Sequence, residues 1–207
     1  MVSIQYLRAL AALAVVLYHA LQWRSGGFDV GRAGVDVFFV ISGFVLWRAT
    51  SRHRVTPLTF LAARASRVMP LYWLATLAVV ASALVWPQFL PQVRPGWGHL
   101  LLSLAFIPHF DPRGLPFPTL PPGWSLDYEA GFYILFAIAL AFARRWRAWA
   151  LVGGLAGATL AGLLLADPAY ILGANPLLLE FAAGVLIGVI DETRAQASAI
   201  WGVALSV

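Results

Sequence analysis

Apolar residues along this chain gather into long blocks rather than alternating with polar ones. A helix needs roughly 20 mostly apolar residues to cross the hydrocarbon core of a bilayer. Such blocks fall at about 4–22, 35–48, 69–86, 125–143, 148–166 and 176–190, and a further block begins at about 198. The pattern predicts an all-α fold, a polytopic transmembrane helix bundle with six spans and a truncated seventh. Two blocks are short for a crossing and predict little tilt or a locally thinned bilayer. The first block is not a cleavable signal peptide, because Arg8 interrupts it and no small-x-small site follows. The pattern breaks over about 87–124, where nine prolines lie between Pro87 and Pro122. Proline removes a backbone donor, so this stretch reads as an external loop. Within it, the apolar run from Leu100 to Ile107 predicts a short helix or a re-entrant piece.

Composition sharpens that picture. Hydrophobic residues make up 61% of the 207 and charged ones only 11%, against about 25% charged in a soluble domain. Too few charges are present to clothe a water-facing surface, which excludes a soluble enzyme, a disordered chain and a nucleic-acid binder. There is no cysteine, so disulfides and thiolate chemistry are excluded as well. The net charge of +5 comes from basic residues that are all arginine. Arg48, Arg52, Arg54, Arg64 and Arg67 lie between the second and third spans, and Arg144, Arg145 and Arg147 follow the fourth. Both clusters are expected on the cytoplasmic side, with the N-terminus. The seventh block then starts inside and stops after ten residues. A helix does not end halfway through a bilayer, so residues 1–207 are expected to be one incomplete domain of a longer protein, or to pair with another segment. Gly153-xxx-Gly157 and Gly184-xxx-Gly188 present small-residue faces suited to close helix contact.

Ionisable groups inside a span are costly, so each is a functional candidate. Arg8 and His19 are eleven steps apart, which brings them to nearly one face of the first helix, roughly 16 Å apart along the axis. Either Arg8 snorkels to the headgroups and His19 bonds a neighbouring carbonyl, or the pair forms a functional stripe. In Gly34-Val-Asp-Val-Phe-Phe-Val-Ile-Ser-Gly-Phe44, Asp36 suits a helix N-terminus and Ser42 lies about two turns deeper. In Pro122-Gly-Trp-Ser-Leu-Asp-Tyr-Glu-Ala-Gly-Phe-Tyr133, Ser125 is placed to cap a helix, with Asp127 and Tyr128 in its first turn. Glu129 follows a turn inside, needs a cation or donor partner, and His19 is at matching depth. Arg64-x-x-Arg67 puts two guanidinium forks one turn apart, able to face one anion, and Pro70 fits the start of the next span. Glu180 is a weaker candidate. His53, His99 and His109 show no ligand spacing, so no metal site is assigned.

Together these pieces resemble the membrane-bound acyltransferase family 3, whose members O-acylate sugars and polysaccharides. The matching segments are Arg8-(ten residues)-His19, Gly34 to Phe44, Arg64-x-x-Arg67-x-x-Pro70-x-Tyr72-Trp73, Gly123-Trp-Ser-Leu-Asp-Tyr-Glu129 with Phe132-Tyr133, and Asn175 to Gly184, in that order along nearly the whole chain. The resemblance implies a bundle of about ten spans, of which this chain would hold six and the start of a seventh at roughly 20 residues each. It implies transfer of an acyl group, often acetyl, from cytoplasmic acyl-CoA to a carbohydrate hydroxyl beyond the inner (plasma) membrane, with no bound cofactor. It implies that His19 is the catalytic residue; beside it, Glu129 or Asp36 is expected to orient the imidazole, and Ser42 or Ser125 to serve as oxyanion donor. The donor would meet Arg8, Arg64, Arg67, Tyr72 and Trp73. Asp127-Tyr128 departs from the small or apolar residues more usual before the glutamate. The expected layout places His19, Asp36 and Glu129 toward the outer side and Arg8, Arg64 and Arg67 inside. A proton-coupled transporter and a non-catalytic or inactive membrane fragment remain as alternatives.

Overall fold

A computed structural model describes residues 2–21, 28–51, 55–90, 93, 96–165 and 176–204. Arg24, Arg52, His53, Arg54, Arg94 and Asn175 lie outside the described residues. Among the described residues every regular element is helical: α1 Val2–Leu21, α2 Ala33–Ser51, α3 Pro57–Val85, α4 Trp97–Leu104, α5 Trp124–Leu140, α6 Arg144–Leu165 and α7 Leu178–Ala204. Short 3-10 turns, Asp29–Arg32 and Pro121–Gly123, lead into α2 and α5. By length and composition, helices at Ser3–Leu21, Asp29–Ser51, Pro57–Val85 and Arg144–Leu164 can cross a membrane. The helical membrane protein expected from the sequence is therefore what the chain forms. The chain divides into two compact units, one from residues 1–54, 144–156 and 176–207, the other from 55–143 and 157–175.

In the first unit α2 lies against α7 at backbone contact. A Cβ on Gly43 would meet the Phe181 carbonyl oxygen, and one on Gly184 would meet that of Val40. Only glycine lets two helix backbones approach so closely. Gly188 faces Trp47, and Phe39 stacks on Phe181 at 4.4 Å. The start of α2 rests on α1 in the same way, with a Cβ on Gly34 falling 2.5 Å from the Ala11 carbonyl. Of the two small-residue faces expected, Gly184 and Gly188 make close contacts, whereas Gly153 and Gly157 have nothing within 4 Å. Spacing specifies a narrow face, but neighbours decide whether it is used. At one end of this unit Arg48 pairs with Asp191 at 2.6 Å, the Trp47 indole donates to Glu192, and Arg144 pairs with the same Glu192. These charges sit inside an unbroken α7, which joins the expected sixth and seventh spans into one helix. Partnered on their own unit, Asp191 and Glu192 do not have to end the helix in order to find partners.

The second unit is built on α3. Thr56 caps it by accepting from the Thr59 backbone N–H at 3.2 Å, and Pro57 takes the first turn, where no donor is needed. At 29 residues it is ~43 Å long. The expected start at Pro70 is not observed, because the helix continues through it and only the Ser66 carbonyl loses its helical partner. α5 runs antiparallel to α3. Phe60 packs on Phe136 at 5.0 Å and on Tyr133 at 6.0 Å, and twelve residues later the Tyr72 ring lies against Gly123. Gly123, not Ser125, occupies the cap position of α5, and Ser125 falls within the first turn. The turn-forming prolines before it start the helix two residues earlier than capping by Ser125 would.

α4 is the short helix expected in the proline-rich stretch, and it is fastened to α3. The Trp73 indole donates to the Leu104 carbonyl at 2.9 Å, and Phe106 packs on Tyr72 at 4.8 Å. The connection that follows is tied to α4 by Ser103, which donates to the His99 carbonyl and accepts from the Thr119 backbone N–H at 2.9 Å.

Candidate active site

The second unit brings together four charged or polar groups. Arg64 and Arg67 stand one turn apart on α3, and Glu129 and Tyr133 one turn apart on α5. The Tyr133 hydroxyl donates to Glu129 Oε1 at 2.5 Å. Its ring rests edge-on against Phe60, over which the Arg64 guanidinium sits at 6.0 Å. Both arginines lie within electrostatic reach of the Tyr133 phenol. Arg64 Nε is buried without a hydrogen-bond partner among the described residues, and Arg67 is exposed. This corrects the expected layout in one respect. Arg64 and Arg67 lie at the level of Glu129 and Tyr133, not at the opposite end of the helices, because continuous α3 and antiparallel α5 align those positions.

The remaining candidates fall as follows. Tyr72 and Trp73 face α4 rather than the arginines, and the Trp73 indole donor is taken by Leu104. In the first unit Arg8 is half-buried and His19 exposed on α1, the His19 ring meeting Tyr18 edge-on at 5.0 Å. The Arg8–His19 stripe includes Val15, whose side chain borders Gly34 at the start of α2. Asp36 is exposed on α2, and its carboxylate lies within electrostatic reach of Glu180 on α7. Ser42 is half-buried, about 120° around α2 from Asp36. His19, Asp36 and Ser42 thus belong to one unit, Glu129 and the arginine pair to the other. Sequence reasoning gave Tyr133 no role of its own, although Glu129-x-x-x-Tyr133 is the i, i+4 spacing at which two helix side chains meet. Thr76, fully buried on α3, carried no sequence signal.

Two histidines of the connection also meet. His109 Nδ1 lies 2.8 Å from the Ile107 carbonyl, which only accepts, so that nitrogen carries the proton. His109 Nε2 then lies 2.7 Å from His99 Nδ1, and one proton is shared between the rings. Burial, the neighbouring His109 and Arg113 lower the His99 pKa against a smaller upward pull from Asp111. Burial alone would raise the Asp111 pKa, but the Leu115 backbone N–H and the Arg113 side chain and backbone outweigh it and hold the carboxylate ionised. Among the described residues no three His, Asp or Glu side chains converge as for a metal ion.

The family model described as "Acyltransferase domain" matches residues 1–207. The chain belongs to the acyltransferase 3 family. It is similar to the exopolysaccharide production protein ExoZ of Rhizobium meliloti (strain 1021), at 42% identity over 176 residues, covering 84% of this chain and 55% of that protein. It is also similar to the peptidoglycan O-acetyltransferase OatA of Listeria monocytogenes, at 31% identity over 163 residues, covering 70% of this chain and 25% of that one. O-acetyltransferase OatA of Staphylococcus aureus (strain NCTC 8325 / PS 47) matches at 28% identity over 153 residues, 66% of this chain and 24% of its own. The chain therefore spans about half the length of the first acyltransferase 3 relative and about a quarter of the other two. No solved structure matches.

Proposed function

We propose that the protein to which this chain belongs is an integral membrane O-acyltransferase of the inner membrane, with a cytoplasmic N-terminus. It moves an acyl group, acetyl in the simplest case, from cytoplasmic acyl-CoA to a hydroxyl of an extracytoplasmic polysaccharide. The observation that carries this reading is the meeting of two arginines with a hydrogen-bonded carboxylate–phenol pair, in a chain matched to the family from end to end. Guanidinium forks match phosphate oxygens, so Arg64 and Arg67 hold the donor's phosphates. His19 removes the proton from the acceptor hydroxyl as its oxygen attacks the thioester carbonyl. The C–S bond breaks, and the departing thiolate recovers the proton from the imidazolium. Asp36, on the same unit as His19, orients the ring, and Ser42 supplies a donor to the developing oxyanion.

The test is acyl transfer by the full-length protein to the host polysaccharide at matched membrane levels. His19→Ala abolishes transfer if the reading holds. Undiminished transfer, or solute flux without transfer in reconstituted vesicles, ends it. Arg64→Ala with Arg67→Ala weakens acyl-CoA binding, and unchanged affinity moves the donor site elsewhere.

A further inference from the structure

We infer that Tyr72, Thr76 and Asp127 form the acceptor subsite, a buried set of hydrogen-bonding groups that receives sugar hydroxyls, with Phe106 as its cover. The inference rests on the acyl-transfer reading above. Thr76 is 0% and Tyr72 4% exposed; their hydroxyls lie close enough to act on one another, yet neither completes a hydrogen bond of good geometry among the described residues, and neither does the buried Oδ1 of Asp127. Buried polar groups are nearly always paired, because leaving one unmet costs free energy. Here three occur at one place. Tyr72 and Thr76 lie one turn apart on α3. Asp127 lies one turn along α5 from Gly123, whose α-carbon faces the Tyr72 ring, and its carboxylate is within electrostatic reach of the Tyr72 hydroxyl.

The chemistry of the three selects the ligand. Two hydroxyls donate and accept, and a carboxylate accepts. A phosphate brings no donor and meets the carboxylate as a like charge, and an apolar acyl chain leaves all three unmet. The hydroxyls of a sugar satisfy each of them. Position agrees, since Thr76 is twelve residues from Arg64, ~18 Å along α3, toward the end where α4 is fastened. That end leads into the connection that the charge pattern of the sequence places outside the cell.

Phe106 offers the way in, on the Tyr72 side of the set. Its φ is +55°, a region unfavourable for a bulky side chain, and its ring covers Tyr72 at 4.8 Å. Strain of this kind is relieved when the connection lifts, which uncovers Tyr72.

Two measurements test this on the full-length protein, using alkali-deacylated oligosaccharides of the host exopolysaccharide as the acceptor probe. In the first, Thr76→Val and Asp127→Asn each raise the acceptor KM about tenfold, with kcat and acyl-CoA affinity changed less than twofold. Unchanged KM with raised thermal stability in both variants makes the groups buried packing only and overturns the subsite. In the second, Thr76→Cys supplies the sole thiol of residues 1–207, which contain no cysteine, any cysteine outside them being replaced by serine. The oligosaccharide slows its labelling by maleimide at least fivefold, and Phe106→Gly speeds it. Protection by acyl-CoA instead assigns the place to the donor and overturns the inference. A wild-type protein that transfers no acyl group sinks the acyl-transfer reading and the subsite with it. Wild-type transfer with unaffected variants sinks the subsite alone.

Discussion

Tyr133 shows how much rests on one hydroxyl. It donates to Glu129 in a setting that also holds two guanidinium groups. A hydrogen bond to a charged group contributes about 1.5–3 kcal/mol, so Tyr133→Phe is expected to lower kcat/KM by tenfold or more at unchanged protein level, measured as acyl transfer. The spacing that joins these residues is visible in the sequence, but which acid, phenol and arginine share a space is not. That depends on the register of α3 against α5, set by Phe60 seating between Tyr133 and Phe136. The histidine pair gives a prediction in pH. His99 in the folded connection holds a proton less readily than the ordinary value of 6.5, so the unfolded connection binds more protons and acid favours opening. The stabilisation is complete above about pH 6.5 and declines as the pH falls below it. Protection factors of the amides in 97–119, which divide out the intrinsic slowing of exchange in acid, should therefore fall between pH 7.5 and 5.5, and His109→Phe should flatten that dependence.

At the level of elements, close packing of α2 on α7 makes the sharpest claim. A side chain at Gly184 meets the backbone of Val40, which cannot rotate aside. Overpacking of this kind costs about 1–3 kcal/mol or more, so Gly184→Val should lower the melting temperature in detergent markedly. Gly153→Ala has open space around it and replaces the poorer helix former, so it should be neutral or stabilising by about 0.5–1 kcal/mol. The two motifs are indistinguishable as sequence. Helix ends were legible where local chemistry sets them, as at Thr56-Pro57. They were misread where tertiary support overrides a local signal. Pro70 stays inside α3, and the stretch between the expected sixth and seventh spans stays helical inside α7, because packing and ion pairs on the neighbouring helices offset the local cost.

For the molecule as a whole, the proposed orientation follows from arginine placement and can be tested with single cysteines in the cysteine-free chain. Arg145→Cys should react with a membrane-impermeant maleimide only from the cytoplasmic side, and Arg113→Cys only from the outside; the reverse pattern would invert the topology. Sequence alone determined that this is a helical membrane protein with a proline-rich connection and a set of polar residues in apolar surroundings. Hydrophobic block length and missing surface charge are properties of the chain itself, independent of its partners in space. Only the tertiary structure decided that the arginine pair lies level with Glu129 and Tyr133, that Trp73 fastens α4, and that Tyr72, packed under Phe106, lies near the unsatisfied polar atoms of Thr76 and Asp127. Those facts depend on helix register and on one left-handed backbone angle, and no residue pattern fixes contacts between helices that far apart along the chain.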